Sequence, residues 1–183
     1  MKTKLLLSFL LIVVFLSSCN STKTITSNAK VQLSNQMDSN GIVTKPSFVN
    51  VKTTMDRLEK IISKTKGISL FNRINHAENS RNAGAINVVD TEVIIFGNPK
   101  VGLKMLEKDP KAGLDLPLKI VAYQAKDGKV YVSYRSVSFY GNIYNLGECE
   151  AKNIMNNKLN KISDIITKSP QDFKTFMAKK NSK

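Results

Sequence analysis

His76 is the only histidine in the chain, and Glu78 follows two positions later. His-x-Glu is half of the zinc-deaminase pattern, but its second half, Pro-Cys-x-x-Cys, is absent. A protein metal site usually takes three or four ligands. His76 therefore points to a haem or metal held through one ligand, to acid/base chemistry, or to a cap on the next segment. Phe96-Gly97-Asn98-Pro99-Lys100-Val101-Gly102 is the second candidate. Its Gly-x-x-x-x-Gly spacing begins like a phosphate loop, but Leu103-Lys104 stands where Lys-Ser/Thr is required. A strand entering a glycine turn and then a helix presents N–H groups and a positive dipole end. The expectation is a ligand or anion seat at Gly97, Asn98, Lys100 and Gly102, with Lys104 adding charge. The competing reading is a structural turn in which Pro99 starts the helix.

Other chemistry finds less support. The chain has no Gly-x-Ser-x-Gly. Glu107, Asp109 and Asp115 are interleaved with lysines, which reads as solvated surface rather than a tuned carboxylate pair. Tyr123, Tyr131, Tyr134, Phe139, Tyr140 and Tyr144 read as core and rim, or as the lining of an apolar pocket on a sheet face.

Periodicity places these residues on elements. Gly41 to Val49 reads as a strand interrupted by Pro46, which favours an edge or a bulge there. Val51, Met55, Leu58, Ile61 and Ile62 recur at helical steps. Asn50 or Thr53 can cap that helix, and Gly67 can end it. Ile68 to Asn75 is a second strand, and His76 to Gly84 a short helix or loop. Thr91 to Phe96 is a buried strand. A short helix over about 100–108 follows and stops before Pro110. Leu118 to Ala125 and Lys129 to Arg135 form a hairpin around Asp127-Gly128. Residues 136–147 read as a loop and Glu148 to Lys168 as a helix. A basic tail follows, in which Phe173, Phe176 and Met177 can dock a short helix. The order β-α-β-(α)-β-α-β-β-α predicts an α+β two-layer sandwich.

The N-terminus carries an address. Two lysines fall in the first four residues, and Leu5 to Leu16 is apolar except for Ser8. Twelve helical residues reach about 18 Å, short of the roughly 30 Å bilayer core. The segment has the length and charge of a signal peptide. Leu16-Ser17-Ser18-Cys19 resembles the lipobox of bacterial lipoproteins. That resemblance implies a leader over 1–18, a lipid on Cys19 and a flexible tether over 19–40. Lipidation would hold the protein to a membrane through several acyl chains. Asn20 favours the outer membrane, facing periplasm or cell surface, if the source has two membranes. Acylation of Cys19 leaves Cys149 unpaired, and a buried thiol is the expectation.

Charge narrows the partners. The chain has 28 basic and 14 acidic residues, net +14. Without residues 1–18 the balance is 26 against 14, net +12. An exported basic protein meets anionic lipid and anionic envelope polymer rather than DNA, so nucleic acid is not expected as a partner.

Phe96 to Gly102, Leu114-Asp115-Leu116-Pro117-Leu118-Lys119, Asp127-Gly128-Lys129-Val130 and Val132-Ser133-Tyr134 together resemble the signature of the domain-of-unknown-function 302 family, over about residues 41–168. The helix with Leu58 and the position of His76 are similar too, although the family often has an acid where Asn75 stands. The resemblance implies a TATA-box-binding-protein-like fold: a curved, mainly antiparallel sheet with helices on one face. It also implies association as a homodimer. A fold of that type does not imply DNA binding. The expected organisation is leader 1–18, anchor and tether 19–40, α+β domain 41–168 and basic tail 169–183. The expected role is a non-enzymatic binding module for a small molecule or cofactor near His76 and the Phe96–Gly102 turn. The alternatives are an enzyme using His76 on an anionic substrate and a structural lipoprotein.

Overall fold

The computed structural model describes residues 37–181. The leader, Cys19 and most of the tether lie outside the described residues. Alternation builds the sheet. In β3 (Thr91–Gly97), Glu92, Ile94 and Phe96 are buried and their neighbours half-buried. That is the period of two of a pleated strand with one covered face. Ile94 and Phe96 sit opposite Ile120 and Leu118 of β4 (Leu118–Gln124). β4 turns through Lys126–Gly128 into β5 (Val130–Arg135). Gly128 takes φ +79°, which the tight hairpin needs and a side chain would resist.

β5 pairs antiparallel with β1 (Ile42–Ser47), and β3 with β2 (Ser69–Asn75). The open, curved sheet runs β1-β5-β4-β3-β2. Pro46 lies on edge strand β1, where its missing donor is tolerated. At the other edge, the β2–β3 register shifts between Leu70 and Asn72, making a bulge at Phe71.

Helices cover one face. Helix α1 (Val51–Ser63) buries Met55, Leu58, Ile61 and Ile62 against it, and Asn50 Oδ1 caps its start by accepting from Thr53 N at 2.8 Å. Full burial of one such aliphatic side chain stabilises by about 1.5–3 kcal/mol. Helix α2 (His76–Asn82) lies against β3, and α3 (Pro99–Leu106) connects β3 to a 3-10 turn at Pro110–Leu114. The expected loop at 136–147 is a 3-10 turn (Val137–Phe139) and a four-residue helix, α4 (Tyr140–Ile143). Burial of Tyr140 explains the order. Helix α5 (Glu150–Ile166) packs beside α1 with Met155, Leu159, Ile162 and Ile166 inward. Cys149, just before it, is buried with a free thiol.

The chain does not end as a bare tail. Helix α6 (Pro170–Asn181) buries Met177, and Phe173 lies under the Arg57 guanidinium, 4.3 Å from ring centre to Cζ. Arg57 Nη1 also donates to the carbonyls of Ile166 (3.1 Å) and Lys168 (2.6 Å), which closes the end of α5. Among the described residues no helix is long and apolar enough to cross a membrane.

Candidate functional site

The two longest motifs of the sequence meet in space. β3 ends at Gly97, and β4 begins at Leu118, its neighbour in the sheet. The segment before β4 folds back so that Leu116 and Pro117 face the start of α3. A β-carbon on Gly97 would lie 3.5 Å from Pro117 Cβ and 3.7 Å from the Phe71 ring. Between these segments is a cavity of about 380 Å³. Its walls are Phe71, Leu103, Leu106, Leu116, Pro117 and Met155, with Gly97, Asn98 and Gly102 along the floor. That volume lies within the range of small-molecule pockets. None of the lining side chains is titratable.

Gly102 deserves its place through the space it leaves. It sits inside α3, where glycine costs about 0.5–1 kcal/mol relative to alanine. Its backbone is ordinary, and a β-carbon there would reach no closer than 4.0 Å to Leu116 Cδ1. A side chain larger than alanine at this position would extend into the cavity.

The anion seat expected at this turn is not supported by the geometry. Asn98 Oδ1 accepts from the N–H of Lys100 (3.0 Å) and Val101 (3.4 Å). Asn98 O accepts from Val101 N (3.0 Å) and Gly102 N (2.9 Å). Pro99 has no N–H to offer. The helix start is capped by its own asparagine, so the donors an anion would need are already bonded. Lys100 is exposed and stands outside the cavity wall.

His76 is not brought to this site. It is the first residue of α2, directly after Asn75, which pairs with Glu92 near the start of β3. Gly97 ends the same strand five residues on, about 17 Å away at strand rise. The His76 side chain is exposed, and the α2 start is capped by Asn75 Oδ1 accepting from Glu78 N at 2.9 Å. Among the described residues no group of three His, Cys, Asp or Glu side chains could hold a metal ion. Within one copy of the chain, among the described residues, His76 has no companion ligands for a metal.

Three polar clusters lie elsewhere, each tied into the fold. Arg73 bridges Glu92 (2.7 Å), Asp56 (2.8 Å) and Glu59 (2.9 Å), joining β2, β3 and α1. Lys45 is buried under α5 and donates to Ser163 Oγ (2.8 Å) and Asp164 Oδ1 (2.6 Å). On the open face, a cleft of about 300 Å³ carries Asp115, Arg135 and Tyr140. Asp115 is held by Arg135 (3.2 Å) and by the hydroxyl of Tyr144 (2.7 Å). Burial, with the Asp115 hydrogen bond, pushes the Tyr144 phenol up to about 12, and burial likewise raises Tyr140. Neither phenol is poised to ionise near neutrality, so neither is a ready nucleophile or base.

Sequence reasoning found Gly97, Asn98 and Gly102 and missed the walls. Leu116 and Pro117 were visible as part of a motif, without a role. Phe71 and Met155 carry no local signal, because they reach the cavity from an edge-strand bulge and from the buried face of α5.

Comparison with known proteins agrees with this architecture. A crystal structure of an uncharacterised conserved protein, DUF302, from Bacillus stearothermophilus superposes with a TM-score of 0.60 at 18% identity, over 70% of this chain and 98% of that one. The likeness shows the shared fold. Two proteins named fluoride-specific ion channel FluC 1, from Brucella suis biovar 1 (strain 1330) and Brucella abortus biovar 1 (strain 9-941), are each 32% identical over 107 residues, or 58% of this chain. The matched stretch is 41% and 39% of those two proteins, so the chain spans well under half their length. The family described as "Domain of unknown function DUF302" matches residues 43–168, both cavity motifs included. The chain belongs to the DUF302 family.

Proposed function

We propose that this domain is a non-enzymatic binding module for a small apolar molecule, and that its site is the cavity between α3 and the Leu116–Pro117 segment. The observation that carries this reading is the convergence of the two longest motifs on one apolar space of about 380 Å³. A pocket lined by leucine, proline, phenylalanine and methionine recognises shape and apolar surface. It has no acid, base or nucleophile on its walls, so it holds a molecule rather than transforming one. The helical glycine at its edge, kept at a cost to α3, fits the same purpose.

The setting belongs to the proposal. A lipid on Cys19 would hold the domain at the cell envelope, on the outer membrane of a two-membrane source. The Brucella relatives named as fluoride-specific channels support a membrane setting for the domain. We carry over that setting, not the channel activity of the longer proteins. Pairing into a homodimer, as the family resemblance suggests, is part of the same reading.

Native mass spectrometry of the protein purified from its own host tests it. A retained small molecule, lost from a Gly102→Phe variant that remains folded, is the expected result, and the same spectrum reports the copy number. Titration with the neutral dye Nile red supplies a ligand-independent check. Equal dye binding by wild type and the filled variant would show that the cavity is not the site.

A further inference from the structure

The rim of the cavity carries a second observation that does not depend on whether the cavity is filled. Leu103 and Phe71 are lining residues, yet they leave 54% and 52% of their surface to solvent. Leu114, which follows the lining residue Gly113, is 80% exposed. Large apolar side chains grouped at one mouth mark an interaction surface.

The exposed charge around them is mostly positive. Segment 98–119 contains five lysines and three acids. Two of the acids are engaged by partners within the domain. Asp109 is buried and accepts from the N–H of Lys111 and Asn145, and Asp115 is bound by Arg135 and Tyr144. Glu107 is the remaining exposed acid of the segment. Lys100 and Lys104 form a stripe on α3 beside Leu103, one helical turn apart. Lys108 follows one turn further along the same segment and is exposed. Exposed leucine and phenylalanine beside a stripe of lysines is the pattern of a surface that lies in a membrane interface.

We infer that the α3 face, with Leu103, Leu114 and Phe71 leading and Lys100, Lys104 and Lys108 beside them, docks on an anionic phospholipid bilayer. A second copy of the chain is disfavoured as occupant, because two such faces would bring like-charged lysines together. Docked this way, the cavity mouth opens onto the bilayer.

The chain contains no tryptophan, so a single introduced one reports its own surroundings. Leu103→Trp in the full chain is measured on neutral phosphatidylcholine vesicles and on vesicles containing phosphatidylglycerol, both with brominated acyl chains. Ile86→Trp serves as control. Ile86 is 87% exposed but lies between α2 and β3, at the far end of that strand. The expected result is a blue shift and quenching of the Leu103→Trp reporter on anionic vesicles, reversed by salt, while the Ile86→Trp reporter stays unquenched. Each lysine near an anionic bilayer contributes about fivefold in affinity. The double variant Lys100→Glu, Lys104→Glu should therefore lower the docked fraction about tenfold or more. Quenching equal on neutral vesicles, or equal at both reporters, would overturn the proposal. A blue shift that follows protein concentration without lipid would assign the face to a second copy and overturn it too. Binding to a soluble polyanion without quenching by brominated chains would also count against it.

Discussion

Gly102 and Leu116 both line the cavity, with 4.0 Å between Leu116 Cδ1 and the point where a β-carbon on the glycine would stand. The spacing admits a methyl group without a clash, and a larger side chain would extend into the cavity. It separates the cost of the glycine from its use.

Gly102→Ala should stabilise the domain by about 0.5–1 kcal/mol, since alanine is the better helix former and meets no clash. Gly102→Phe should remove binding of the dye while keeping the fold. Urea unfolding and dye titration on the same two proteins read both effects. A destabilised alanine variant would mean that the helix needs glycine for its backbone, which its geometry does not suggest.

His76→Ala should leave cavity binding unchanged. The two positions are at opposite ends of β3, and no α2 residue lines the cavity. Dye affinity within twofold of wild type is the expected outcome. A clear loss would join His76 to the site.

The Lys45–Asp164 pair should respond unequally to its two halves. Lys45 is buried, whereas the Asp164 side chain is 51% exposed. Lys45→Met frees an aspartate that water can reach, at about 1 kcal/mol in lost hydrogen bonds. Asp164→Ala strips the buried ammonium of its anionic partner and should destabilise by about 3 kcal/mol. Equal losses in chemical denaturation would contradict the asymmetry.

Arg57→Ala should release α6. The guanidinium holds the carbonyls of Ile166 and Lys168 and covers Phe173. Amide exchange over 170–181 should become fast, with the β3–β4 core still protected. Unchanged protection there would mean that Met177 and Phe176 suffice to dock the helix.

Acid should weaken the fold partly through Asp109. The backbone N–H of Asn145, with that of Lys111, holds its carboxyl below the usual carboxylate range. A depressed folded pKa means that this stabilisation is present above the unfolded value, near about 3.9, and is lost as pH falls through the folded one. Asp109→Asn should therefore lower Tm at pH 6 and flatten its decline from pH 5 to 3. Parallel curves for the two proteins would exclude Asp109 as a contributor.

Near neighbours along the chain determined the elements of this protein. The spacing of Met55, Leu58 and Ile62 makes a helix with one apolar face, and the alternation Glu92, Ile94, Phe96 makes a strand with one covered side. Asp127-Gly128 places a hairpin because glycine alone enters that turn without strain. These are local preferences, decided within a few residues, and they were legible with the α+β order they imply. Whether His76 and Gly97 could share a ligand was not local. Both flank strands of the same sheet, but antiparallel pairing of β2 with β3 sends them to opposite ends. Phe71 and Met155 became walls of one cavity only because a bulge on the edge strand and the inner face of α5 converge on Gly97. The helix start at Asn98 was decided by geometry as well: its side chain turns back onto the very N–H groups that the sequence offered.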